Sequence, residues 1–208
     1  MKQWLKKRWR LLLIAVVALP FLVYGGLFAI GRFNLFHAHE HCSKIAGSAF
    51  SLYASEHEGK YPSHTNGFGD ALLLLLKEKY TDVRFVTAPG DDGRVLTECL
   101  AKGLDVPEDK CSRVYLQGLS EDDENGSVPM MFDRYPTRGG DHFRSPGGTP
   151  MRDVVMCGGW VEFITEARWP VFANEQIERL VSRGFKRAEL QKLFGVQSKS
   201  GAGVPSAN

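Results

Sequence analysis

The chain has 208 residues, 43% hydrophobic and 24% charged, which excludes a disordered, collagenous or multi-span membrane protein and fits one domain. Its formal net charge of +2 is unevenly placed: Lys2, Lys6, Lys7, Arg8 and Arg10 carry +5, and the remaining 21 cations and 24 acids sum to −3. That slightly acidic body lacks the basic face that displaces counterions from phosphates, so nucleic acid is excluded as a partner.

Residues 11–30, LLLIAVVALPFLVYGGLFAI, carry no charge and match the ~20 residues a helix needs to cross about 30 Å of hydrocarbon. Pro20, Gly25 and Gly26 are tolerated in membrane helices. Five cations before this segment, against Arg32 alone just after it, predict a cytoplasmic N-terminus and an exported remainder. The competing reading is a cleaved signal peptide, but its apolar core runs ~7–15 residues and ends at a small-x-small site, which is not evident here. The chain thus divides into a basic cytoplasmic leader (1–10), a transmembrane helix contacting lipid (11–31), an exported domain (32–196) and a small, polar tail (197–208) expected to be disordered.

Beyond the span, Cys42, Ile45, Ala46, Ala49, Phe50 and Tyr53 follow the spacing of an amphipathic helix, expected to continue from the membrane and to bury Ile45, Phe50 and Tyr53. Gly59 and Pro62 end it. A second helix is predicted from Asp70, as N-cap, through the leucines at 72–76 to Lys77 and Lys79. The stretch after it, punctuated by Pro89, Gly90, Gly93, Gly103, Pro107 and Gly118, reads as loops and strands, with strands near 114–116 and 128–132 around an acidic turn at 121–126. DVVMCGGWVEFITEARW reads as two strands joined through Gly158 and Gly159, and helices at 174–183 and 187–194 stop at Gly184 and Gly195.

Three stretches together resemble the pilin-like, type II secretion pseudopilin-like membrane proteins, including relatives with a C-terminal His-x9-Asp-Gly signature. SLYASEHEGKYP places Tyr53, His57, Gly59, Tyr61 and Pro62 at matching positions. CSRVYLQGLSEDDENGSVPMMFDR is similar to the family's paired strands, and DVVMCGGWVEFI to its closing hairpin. The resemblance implies an α+β, pilin-like fold: a long N-terminal helix, membrane-spanning in its first half, packed on a small antiparallel sheet, with extra C-terminal helices. The departures are specific. No Glu lies within 11–30 and no Gly precedes it, so a prepilin cleavage motif is lacking; Gly158 and Trp160 stand where the family has Asp and His, and fifteen residues separate His142 from Gly158.

Four cysteines in an oxidising compartment suggest disulfides, with Cys99–Cys111 the first pairing and Cys42–Cys157 the remainder; buried free thiols are the alternative. In HAHEHC, His37 and His41 lie four apart and share a helix face, a candidate metal pair with His57 and His64 as further ligands, although two histidines fill only half of a four-coordinate site. Asp141 and His142 in a Gly-rich loop read as a surface turn. Trp160, Phe163, Trp169 and Phe172 read as core rather than as a glycan platform. No nucleophile elbow, phosphate cradle or CxxC is present, so the expectation is a non-enzymatic protein without a cofactor. It is read as a structural or assembly protein of the bacterial envelope that associates with itself or other pilin-like subunits, the alternative being an anchored binding module for a metal or glycan.

Overall fold

The computed structural model describes residues 43–123, 127–137 and 148–196. Among them no helix is long and apolar enough to cross a membrane, and the 11–31 segment lies outside them. The architecture is α+β, with a four-stranded antiparallel sheet and several helices. Helix α1 spans 43–56, and α2 (Phe68–Lys77), the single-turn α3 (Val83–Val86) and α4 (Arg94–Lys102) precede the strands β1 (Arg113–Tyr115), β2 (Pro129–Asp133), β3 (Met151–Met156) and β4 (Val161–Thr165). Helices α5 (Trp169–Val181) and α6 (Arg187–Phe194) follow.

The sheet is a meander in the order β1-β2-β3-β4, each strand antiparallel to the next. Register decides which residues share a face. Arg113 pairs with Asp133, Tyr115 with Met131, Met131 with Val155 and Asp153 with Phe163, so these side chains lie on one face. Phe132 with Val154, and Arg152 with Ile164, lie on the other.

Helix α1 covers the first face. Its buried positions Ser43, Ala46, Ala49, Phe50, Tyr53 and Ala54 form one helical stripe, and the Phe50 ring stacks on Tyr115 with centroids 4.9 Å apart. At Gly47 the helix meets the β3–β4 turn so closely that a Cβ would lie 3.1 Å from the Gly159 carbonyl oxygen. Gly159 makes that turn at φ 80°, with its N–H donating to Met156 O. Helices α5 and α6 cover the opposite face, where the Phe132 ring stacks on Phe194 at 4.6 Å and tilts against Trp169 at 5.4 Å. The sheet is therefore the middle of three layers, with one continuous core.

All four expected strands are present, and so are helices at each expected place within the described residues. Several details differ. Ile45 is 42% exposed rather than buried, because it sits one residue, about 100° of helix, off the stripe that faces the sheet. Asp70 is not an N-cap: α2 starts at Phe68, capped from a distance by Glu108 Oε1, which accepts the Phe68 N–H at 2.7 Å, while buried Asp70 accepts the Val106 N–H at 2.8 Å. The segment read as loops and strands holds α4, whose buried Leu96 and Cys99 point inward while Arg94–Glu98 and Glu98–Lys102 pairs decorate the outside. Asp91 and Asp92 side chains accept the N–H groups of Gly93 and Arg94, so the Asp-Gly turn launches this helix, and left-handed Gly103 ends it. Helix α5 begins at Trp169, five residues early, because Pro170 in the first turn sacrifices no helical hydrogen bond.

Phe50→Ala removes the ring that joins α1 to the sheet and is expected to cost about 3–5 kcal/mol, whereas Leu52→Ala, on the exposed face, stays within about 0.5 kcal/mol. Denaturant midpoints of the two variants check this.

Candidate functional site

Each of three neighbouring strands carries one buried charge on the face under α1: Arg113 on β1, Asp133 on β2 and Asp153 on β3. Charges are rarely buried unless paired and hydrogen-bonded, and here the donors of one guanidinium are shared out. Arg113 Nε donates to Asp133 Oδ1 at 2.9 Å, Nη1 to the Phe85 carbonyl at 3.0 Å, and Nη2 to Ser43 Oγ at 2.9 Å. The Ser43 hydroxyl in turn donates a hydrogen bond to Asp153 Oδ2 at 2.7 Å, an oxygen that also lies 3.7 Å from Nη2. The Asp153 N–H donates to Asp133 Oδ2 at 3.2 Å. Strands β1, β2 and β3, Phe85 of α3 and Ser43 of α1 are thereby joined through one cation.

Burial pushes the Asp133 carboxyl up to about 6, and the neighbouring Asp153 charge adds to that rise, while the Arg113 guanidinium and the hydrogen bonds oppose it. On the opposite face Arg152 Nε and Nη2 each reach the Glu166 carboxylate at 3.2 Å, Nη1 donates to the Arg134 carbonyl, and its guanidinium lies 4.4 Å from the Trp169 ring centroid.

A cleft of about 420 Å³ opens elsewhere, between the start of α2 and α6. Leu116, Leu190 and Leu193 are among its apolar lining residues, Glu108 and Asp109 contribute acidic groups, and Lys186 is tied to Glu189 at 3.0 Å.

The residues singled out from sequence do not assemble into one site. Cys99 and Cys111 are buried free thiols pointing at the Asp105 and Pro107 carbonyls, at 3.5 and 3.8 Å, and no disulfide joins the described cysteines. Burial raises the Cys111 and Cys157 thiols to about 12, so neither is a reactive thiolate. Cys42, His37, His41, Asp141 and His142 lie outside the described residues. His57 stacks on Tyr53, and His64 lies 3.6 Å from Asp70; no group of three metal-ligating side chains occurs among the described residues. Of the aromatics, Trp169 and Phe172 are core, Phe163 is half-buried and Trp160 is 39% exposed.

The ionic cluster escapes a sequence reading because each strand shows only one or two charges beside an apolar run (RVYL, MMFDR, RDVVM), and only the register brings Arg113, Asp133 and Asp153 together. Arg113→Met strands two carboxylates in the core and is expected to cost about 3–5 kcal/mol at neutral pH, with a smaller loss near pH 5, where protonation relieves the repulsion. Urea unfolding of the variant and the parent at both pH values measures it.

Compared with protein-family models, curated proteins and solved structures, the chain finds no match.

Proposed function

We propose that the protein is a non-enzymatic, pilin-like structural or assembly component of the bacterial envelope, held in the inner membrane by its N-terminal apolar segment. The observation that carries this reading is the way α1 packs on the antiparallel meander and is hydrogen-bonded through Ser43 to Arg113 of β1 and Asp153 of β3. A one-sided helix packed on a small sheet, following an apolar 20-residue stretch in the sequence, suits a domain displayed on a membrane stem. The net charge of −3 beyond residue 10 supports attachment by that stem rather than by electrostatic adhesion to anionic lipid.

In this reading residues 11–31 contact lipid and adjacent copies or related subunits, while the folded domain projects outside the cytoplasm. A phosphatase reporter fused after Asn208 is expected to be active, and a cytoplasmic C-terminus would overturn the topology. Cysteines introduced singly along 11–30 are expected to cross-link into a ladder of oligomers in membranes; monomers at every position would reject self-association.

A further inference from the structure

We infer that Asn66 is a self-modifying site: its step to Gly67 converts the side-chain amide into a carboxylate, with water as the only co-reactant, and so loosens the start of α2 from the 105–108 loop. Asn66 is exposed, and the residue after it has no Cβ to screen its main-chain nitrogen from the Asn66 side chain. The fold fixes that glycine. Gly67 has φ 123°, a conformation that side chains rarely adopt, and a Cβ there would collide with the Glu108 carboxylate. That carboxylate is not free to swing aside, because its Oε1 accepts the Phe68 N–H at 2.7 Å. The other Asn-Gly step, at 125–126, lies outside the described residues.

The reaction balances on this chain and water alone. The Gly67 nitrogen, its proton taken by hydroxide, bonds to Asn66 Cγ; the Cγ–Nδ2 bond breaks, and the amide nitrogen takes a proton from water and leaves as ammonia. Water then opens the cyclic imide. Cleavage at Cγ gives aspartate, and cleavage at the main-chain carbonyl gives isoaspartate, in which the backbone runs on through the side chain. Only modest bonds oppose the first step: the Gly67 N–H donates to the His64 carbonyl at 3.3 Å, and Asn66 Nδ2 donates to Asp105 Oδ1 at 3.2 Å between two exposed side chains.

The product alters a joint. A carboxylate in place of the Asn66 amide has no proton to give to Asp105 and repels it instead. The remaining ties between the two segments are the Phe68 N–H on Glu108 Oε1 and the Val106 N–H on Asp70 Oδ1, at 2.7 and 2.8 Å. Isoaspartate also adds a methylene to the main chain just ahead of α2. Phe68 and Glu108 line the cleft, so the change reaches its wall.

Mass spectrometry of tryptic fragments tests the reaction, with full-length protein in detergent aged in mildly alkaline buffer beside a synthetic peptide of residues 63–70. Fragment 61–77 holds Asn66 as its only side-chain amide, so its mass gain reports this residue alone. Conversion about tenfold slower than in the peptide is expected, since two hydrogen bonds must open first, and conversion slower by about a hundredfold or more overturns the site. Asn66→Gln, which needs a larger ring to close, should remove the gain; a gain at the parent rate in that variant also overturns it. The loosening is read by hydrogen exchange of Asn66→Asp, where about threefold weaker protection of the Phe68 and Val106 amides is expected, restored when Asp105→Asn is added to supply a donor. Unchanged protection, or a loss that Asp105→Asn does not restore, rejects the loosening.

Discussion

One arginine, inside a layered core, bonds at once to a carboxylate, a helix serine and a backbone carbonyl, with a second carboxylate close by. Arg113 can do so because a guanidinium presents five donors in a rigid plane, enough to reach Asp133, Ser43 and the Phe85 carbonyl in three directions. A lysine at the same place would offer a point charge and could not hold three partners in fixed directions. The three strand charges are also mutually exacting in register. A slip of one residue in β2 would turn Asp133 away from α1 and put Phe132 against it, emptying the aromatic cluster under α6. The polar cluster and the aromatic cluster therefore specify the same pairing.

The two faces of the sheet are held by different means. Under α5 and α6 the contacts are aromatic, with Phe132, Trp169 and Phe194 packed together and the Trp169 indole N–H donating to the Phe194 carbonyl at 3.0 Å. Under α1 an aromatic stack at Phe50 and Tyr115 stands beside an ionic joint and a backbone approach at Gly47. Apolar packing tolerates small displacements, whereas shared hydrogen bonds and backbone contact do not. Both faces combine packing with fixed hydrogen bonds, Arg152 with Glu166 on the α5 side, and the α1 face adds the close backbone approach at Gly47.

Much of this fold was legible from pattern. The short apolar runs at 114–116 and 128–132, the Gly158-Gly159 turn and the glycines ending α6 and the α5 region identify real elements, because strand runs, turn conformation and helix caps are local properties. Helix α4 escaped notice because Asp92-Gly93 and Gly103 signal turns equally well at a hairpin and at the two ends of a short helix; the Leu96, Cys99 and Leu100 spacing was the available clue. Asp70 misled for a related reason, since an acidic residue near a helix start suits either a cap or a tertiary hydrogen bond, and Val106 claimed it. The ionic cluster was out of reach in principle, as its members lie 110 positions apart at the extreme and meet only through register.

The close approach of Gly47 to Gly159 also has a mechanical side. Sliding of α1 along its own axis would carry its other side chains past the β3–β4 turn. In shear, the Ser43 bonds, the Gly47 notch and the Phe50 stack bear load together, and the notch resists sliding because every larger residue of α1 would collide with the turn as it passed. A helix keyed in this way resists displacement along the sheet by shape as well as by bonding.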